Sequence, residues 1–137
     1  MAKLHLEIVT PEKLSFQGDV DSVVIPGSEG ELGVLPMHIP LMTQIKPGEL
    51  VISRDGKRDY LAVGEGFATI TQERVNILTD MAIEAQQIDE GAAEAAIERA
   101  RATLAAKHDM AEEELASVQA SLLKSLAQLH VKRRHHS

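Results

Sequence analysis

The sequence predicts an antiparallel β-sandwich over residues 1–86, followed by an antiparallel two-helix hairpin over residues 87–137. Three observations support this. Short runs of alternating apolar and polar residues fill the first part of the chain. Turn-forming residues separate these runs about every 8–12 residues. The apolar spacing then changes to that of an α-helix. The chain has 137 residues and no cysteine, which excludes disulfides, thiolate metal sites and thiol catalysis.

The first strands are predicted by alternation and by β-branched residues. Apolar residues at positions 4, 6 and 8 alternate with His5 and Glu7, which is typical of a half-buried strand. A β-branched run over residues 20–25 ends at Pro26-Gly27, a turn signal. We therefore expect two early strands with one face on the core.

The middle of the sandwich contains a strong hairpin signal. Asp55-Gly56 separates residues 50–54 from residues 58–63, and both of these runs have strand character. Another pair of predicted strands, residues 67–71 and 74–78, follows a glycine-rich turn. The regular spacing of these runs favours a sandwich or a flattened barrel.

The first helix is predicted to begin after Asp89, a good N-cap residue, and to run to about Lys107. Eight residues between positions 88 and 107 are alanine, the best helix former. A narrow apolar stripe follows from the spacing of Ala93, Ile97, Ala100 and Leu104.

The second helix is predicted to start near Asp109, which forms a capping-box pattern with Glu112, and to end at about Lys132. Acidic residues 112–114 would complement the helix dipole in the first turn. Its apolar stripe consists of Ala111, Leu115, Val118, Leu122, Leu126 and Leu129. Each helix thus has only one modest apolar stripe to bury. Two arrangements are compatible with this: a movable arm, or a pair of helices packed permanently on the sandwich.

Composition argues against several classes of function. A net charge of −7 and few aromatic residues disfavour nucleic-acid binding. No apolar run reaches the length of a membrane span, and the charged N-terminus does not resemble a secretory signal, so membrane association would go through a partner. His130, His135 and His136 are interpreted as solvated rather than metal-binding. His38 has no nucleophile or orienting acid assigned to it, so we expect no enzyme and no metal site.

One set of segments, taken together, resembles the epsilon subunit of the bacterial-type F-type ATP synthase, which is equivalent to the mitochondrial delta subunit. The most specific segment is EGELGVLPMHIPL at residues 29–41. The others, in chain order, are LEIVTP at 6–11, KPG at 46–48, GEGF at 64–67 and VNIL at 75–78. With the helical hairpin, the resemblance covers essentially the whole chain.

The resemblance implies a ten-stranded sandwich on the central stalk of the rotor, where it binds the gamma subunit and touches the c-ring. Such a subunit is non-catalytic and couples proton translocation to ATP synthesis. The loop from Glu31 to His38 would face the ring, and these two residues are the expected ring contacts. Glycine and proline would give this loop a defined bend. We expect a peripheral location at the cytoplasmic face of the bacterial inner membrane rather than in a plastid stroma or mitochondrial matrix.

The resemblance also implies that the hairpin extends along gamma into the alpha/beta headpiece and impedes ATP hydrolysis. Residues 131–137 carry three basic and no acidic side chains. Lys132, Arg133 and Arg134 would meet acidic loops of the catalytic headpiece. The alternative is a solubilising tail.

Some members of this family bind ATP through the motif I/L-D-x-x-R-A at the start of the first helix. Ile88, Asp89 and Ala93 match this motif here, but Ala92 replaces the arginine. Phosphate recognition favours guanidinium groups, so we expect weak or no ATP binding and no cofactor. Two other hypotheses are a stand-alone nucleotide sensor, which the missing arginine disfavours, and a generic β-sandwich adaptor with a helical tail.

Overall fold

The structure is a computed structural model that describes residues 2–106 and 110–135. Within these residues it contains ten strands, one 3-10 helix at Ala85–Gln87 and two α-helices. The strands are β1 (Leu4–Val9), β2 (Leu14–Val20), β3 (Ser22–Gly27), β4 (Gly30–Val34), β5 (Leu41–Ile45), β6 (Gly48–Arg54), β7 (Lys57–Val63), β8 (Gly66–Ile70), β9 (Arg74–Thr79) and β10 (Ala82–Glu84). The helices are α1 (Glu90–Ala106) and α2 (Glu112–His135). The predicted fold class is confirmed.

The strands form one sheet that folds over itself, in the order β10-β7-β6-β3-β5-β8-β9-β1-β2, with β4 paired to β3. Strands β1 and β9 pair in parallel, whereas the other strand pairs of the described chain are antiparallel. The predicted turn between β6 and β7 is confirmed. Asp55 and Gly56 have φ angles of 51° and 79°, as a tight hairpin turn requires.

The core of the sandwich is built from inward-facing aliphatic side chains. Along β1 the predicted alternation is confirmed, because Leu4, Leu6 and Ile8 are fully buried and their neighbours are not. The same alternation places Val75 and Ile77 of β9 in the core. This apolar cluster comes entirely from the strands, so the sandwich has a core of its own.

An ion cluster ties the start of β1 to the turn between β6 and β7. Asp21 accepts hydrogen bonds from the Lys3 ammonium and, at 2.8 Å, from the backbone N–H of Asp55. The Lys3 hydrogen bond, and then the backbone one, lowers the pKa of the Asp21 carboxyl. The Lys3 ammonium also donates to Asp55 Oδ1 at 3.2 Å, and its hydrogen bonds to Asp21 and then to Asp55 raise the pKa of Lys3.

The two helices begin and pack largely as predicted. Asp89 caps α1, since its Oδ1 accepts the backbone N–H of Ala92 at 3.0 Å. The predicted stripe on α1 is buried at Ala93, Ile97 and Ala100. The predicted stripe on α2 is half-buried from Leu115 onward, although Ala111 is exposed. The proposed cap Asp109, like Lys107 and His136, lies outside the described residues.

The helix α2 also uses a second face that the sequence pattern did not reveal. Ala127 and Val131, one helical turn apart, are buried on this face. Val131 is 0 % exposed and packs in a second apolar cluster with Ala62, Ala85 and Ile88, flanked by Tyr60, Met81 and Ile83. The structure thus shows the hairpin packed on the sandwich. Among the described helices, none combines the length and the hydropathy needed to cross a bilayer.

Candidate partner-binding surfaces

The segment that connects β4 to β5 presents an exposed apolar surface, which we call the loop surface. It consists of Leu35, Met37 and Ile39 of this segment and Leu41 and Met42 at the start of β5, and Ile39 is 78 % exposed. Met37 has a φ of 71°, unusual for a residue with a Cβ. Its backbone N–H donates to Gln72 O in the β8–β9 turn at 2.8 Å, which holds the loop in this conformation. Sequence reasoning singled out this segment but not its apolar residues.

The two predicted ring contacts belong to this region. Glu31 lies on β4 opposite Pro26 of β3, and its side chain is exposed. His38 is half-buried in the loop, where its Nδ1 donates to Ile39 O at 2.6 Å. Their role in binding a ring remains a prediction.

A second apolar surface crosses the outer face of the sheet, and we call it the apolar band. In the strand register, Phe67 lies opposite Leu78, Leu78 opposite Val9, and Val9 opposite Leu14. Residues directly opposite each other share one face of a sheet. Phe67, Leu78 and Leu14 are all exposed, and Phe67 also lines a cleft of about 470 Å³ with Leu123 of α2.

Sequence reasoning missed the apolar band, although part of its signal was present. Phe67 and Leu78 occupy outward positions in β8 and β9, out of phase with the core residues Ala68 and Ile77. An apolar residue at a solvent-facing position of a strand is unremarkable alone, whereas a contiguous row of them marks an interaction surface. The row becomes visible only when the strand order is known.

The basic residues predicted to contact the headpiece, Lys132, Arg133 and Arg134, form the cationic tip of α2. In the structure this tip contacts other parts of the chain. Lys132 Nζ donates to Ala85 O at 3.2 Å. Arg133 contacts the carboxylates of Glu90 and Glu94 on α1 at 3.4 and 3.0 Å. These three cationic contacts join the end of α2 to α1 and to the 3-10 helix.

The last two described residues of α2 meet a single carboxylate on β6. Arg134 Nη1 lies 3.4 Å from Glu49 Oε1, and His135 Nε2 lies 2.6 Å from Glu49 Oε2. The His135 ring also stacks on Tyr60, with centroids 3.5 Å apart. The interpretation of His135 as a solvated residue is therefore wrong, because α2 continues past Lys132 and carries it onto the sandwich. His130 is exposed.

The residues of the degenerate ATP motif have structural roles in this conformation. Ile88 is buried in the apolar cluster under α2, and Asp89 caps α1. Ala93 is buried, whereas Ala92 is exposed on the first turn of α1. The described residues contain no group of three or more histidine or acidic side chains placed to hold a metal ion.

A cleft of about 590 Å³ lies between the helices and the sandwich. Its polar lining includes Arg99, Thr103, Ser117, Ser121 and Lys124, and Lys124 lies 3.7 Å from Asp80 of the sandwich. Asp80 thus partly neutralises the cationic side of this cleft, which makes it a poor match for a triphosphate.

We expect the full chain to bind ATP only weakly, because Ala92 supplies no guanidinium and Lys124 is paired with Asp80. Isothermal titration calorimetry with Mg-ATP should show no heat that fits a micromolar dissociation constant. Thermal unfolding should give the same midpoint with and without millimolar ATP. A saturable micromolar isotherm would contradict this expectation.

A β-sandwich that exposes two apolar surfaces and carries a docked helical hairpin is typical of a subunit that binds other proteins. Residues 3–85 match the family model described as ATP synthase, Delta/Epsilon chain, beta-sandwich domain. The chain is 41% identical over 132 residues to the ATP synthase epsilon chain of Chloroflexus aggregans, covering 96% of this chain and 94% of that one. It is 43% identical over 139 residues to the Dehalococcoides mccartyi epsilon chain, covering 99% and 98%.

Solved structures agree with this assignment. A chain in the Euglena gracilis mitochondrial ATP synthase OSCP/F1/c-ring assembly superposes with a TM-score of 0.79 at 26% identity, covering 98% of this chain and 83% of that one. A chain of the Tetrahymena thermophila central stalk and c-ring shares the fold, with a TM-score of 0.63 at 10% identity. The chain belongs to the ATP synthase delta/epsilon chain family, and it is of the non-catalytic, epsilon type.

Proposed function

We propose that this chain, an epsilon subunit of the ATP synthase central stalk, joins the gamma subunit to the c-ring and thereby couples proton translocation to ATP synthesis. The observation that supports this proposal best is the presence of two exposed apolar surfaces on one sandwich. The loop surface and the apolar band are anchored in the same sheet, so their relative position is fixed by its core. A subunit that links two partners in a rotor needs such an arrangement.

The loop surface is the proposed contact with the c-ring. Glu31 and His38 supply polar groups, and the exposed apolar side chains around them supply buried area on binding. Contact with the ring would hold the chain peripherally at the cytoplasmic face of the bacterial inner membrane. The chain would reach the membrane only through this complex.

The apolar band is the proposed contact with gamma. Phe67 is exposed, and aromatic side chains of this kind are enriched in the cores of protein interfaces. Leu78 and Leu14 extend the surface across neighbouring strands. A flat apolar row on a rigid sheet suits a stable interface, since little conformational entropy is lost on binding.

The hairpin is the proposed regulatory arm, and residues 87–137 are the proposed second domain. The arm would leave the sandwich, extend along gamma into the alpha/beta headpiece and slow ATP hydrolysis. Lys132, Arg133 and Arg134 would then exchange their present partners for acidic loops of the headpiece. Exposed ion pairs contribute only about 0–1 kcal/mol each, so such contacts would bias an equilibrium.

The braking function is tested by ATP hydrolysis of a cognate headpiece that lacks this subunit. We expect the full chain and a chain ending at Gln86 both to bind, because the core of the sandwich lies within the strands. Only the full chain should lower the rate of hydrolysis. Equal rates with both proteins at saturating concentration would show that the helices are not a brake.

The gamma contact is tested by replacing Leu78 with glutamate. A charge in the centre of an apolar interface must be desolvated, so we expect affinity for gamma to fall at least about tenfold. Lys57→Glu, an exposed charge reversal at the start of β7, is the matched control and should change affinity little. Surface plasmon resonance with immobilised gamma would measure both. Similar losses in the two variants would contradict the assignment of the apolar band.

A further inference from the structure

We propose that Glu49 and Tyr60 form a receptor site on the sandwich for the tip of α2, and that this site competes with the headpiece for the same tip. The competition rests on the proposed braking function, whereas the receptor site itself rests on contacts within this chain. The site is on the outer face of β6 and β7, next to the apolar cluster that holds Val131.

The carboxylate of Glu49 is the centre of this site. Its side chain is only 8 % exposed, and both of its oxygens face α2, one the Arg134 guanidinium and the other the His135 ring. A carboxylate buried to this extent requires hydrogen-bond donors to offset its lost hydration. His135 supplies one donor at 2.6 Å with its own side chain only 17 % exposed, and Arg134 supplies the other at 3.4 Å.

Tyr60 contributes the aromatic ring on which His135 stacks. The Tyr60 and His135 rings are nearly parallel, with an interplanar angle of 9°. In the register of β6 and β7, Tyr60 lies opposite Val51 and Glu49 lies opposite Ala62. Tyr60 and Ala62 are two residues apart and thus share a face of β7. The Tyr60 ring, the Glu49 carboxylate and Ala62 of the apolar cluster therefore lie on one face of β6 and β7.

The tip cannot serve two partners at once. In the docked conformation His135 and Arg134 bind Glu49, while Lys132 binds Ala85 O. Lys132 and Arg134 are two of the cations that would have to meet acidic loops of the headpiece in the extended arm. A partner shifts an equilibrium only by its difference in affinity for the two states. The strength of the Glu49 contacts therefore sets how readily the arm is released.

The receptor site is tested through the reactivity of a single introduced thiol, because the chain has no cysteine. Ala127 is buried and lies one helical turn before Val131, so a cysteine there becomes accessible when α2 leaves the sandwich. In the full chain with Ala127→Cys, we expect Glu49→Gln to speed modification by a thiol reagent about tenfold. Glu73→Gln, in the exposed β8–β9 turn, is the matched control and should leave the rate unchanged.

A second variant distinguishes loss of the contact between His135 and Glu49 from a general loss of stability. His135→Gln should speed modification to a similar extent. Combining it with Glu49→Gln should add less than the two single effects together, since both variants remove the same contact. An unchanged rate in Glu49→Gln, or full additivity in the double variant, would overturn the receptor site.

Inhibition of headpiece ATP hydrolysis is measured with the same variants made without the added cysteine, and the two readouts together distinguish this proposal from the braking function. If modification is faster and inhibition of headpiece ATP hydrolysis is stronger in Glu49→Gln, both the receptor site and the competition are supported. If modification is faster and inhibition is unchanged, the receptor site is supported and the competition is overturned. If the full chain does not inhibit at all, the brake fails while the thiol experiment still decides the receptor site.

Discussion

Replacing Gly66 with alanine is expected to lower the free energy of unfolding by about 3 kcal/mol or more. A Cβ at this position would lie 1.9 Å from Leu78 O and 2.8 Å from Thr79 Cα. Both atoms belong to the backbone of β9, so no side-chain rotation can relieve the overlap. Gly66 also pairs with Ile45 of β5, so three strands would have to shift. Urea unfolding monitored by circular dichroism would measure the change.

Gly33→Ala is the control for this prediction. Gly33 lies on β4, and no atom among the described residues is within 4 Å of a Cβ built there. We expect its free energy of unfolding to change by no more than about 0.5 kcal/mol. If the two variants had the same midpoint and slope in urea, the close approach at Gly66 would not be a constraint on this fold.

Replacing Val131 with aspartate is expected to release the hairpin while leaving the sandwich folded. Val131 is 0 % exposed in the cluster with Ala62, Ala85 and Ile88. A carboxylate buried there would weaken docking by about 3 kcal/mol or more. The core of the strands does not include this cluster, so it should persist. Limited proteolysis should cleave within the helices and spare a fragment that contains the strands.

Gln119→Asp is the matched control, because Gln119 is exposed on the same helix. It introduces the same side chain and lowers helix propensity by at least as much, since Gln is a better helix former than Val. Its proteolysis pattern should remain that of the unmodified chain. Equal protection of the helices in both variants would mean that Val131 does not hold the hairpin in place.

Local sequence signals predicted the parts of the fold that depend on neighbouring residues. The alternation in β1, the Asp55-Gly56 turn and the Asp89 cap each follow from a few adjacent side chains. Strands β2 and β4 had no comparable signal in the sequence. Strand β4 contains two glycines and is mostly exposed, and β2 is polar and largely exposed. Their pairing is decided by contacts with distant strands rather than by intrinsic preference.

The candidate surfaces were harder to predict because they are assembled from separate strands. Glu31 and His38 came from a resemblance that placed both in one loop, whereas the structure places Glu31 on β4 and only His38 in the connection between β4 and β5. The apolar band depends on the parallel pairing of β1 with β9, which no local pattern indicates. The contact of His135 with Glu49 depends on a second face of α2, since the regular stripe on that helix faces α1.

The parallel pairing of β1 with β9 also constrains how the chain acquires its structure on the ribosome. His5 pairs with Arg74 and Val9 with Leu78. Strand β1, the first to be synthesised, therefore cannot complete its pairing until β9 has been synthesised. Until then one hydrogen-bonding edge of β1 stays unpaired, and its core side chains Leu4, Leu6 and Ile8 are exposed while the sandwich is incomplete. Such an edge can pair with other chains. Rapid translation through residue 79, or shielding by a chaperone, would thus favour a high yield of correctly folded protein.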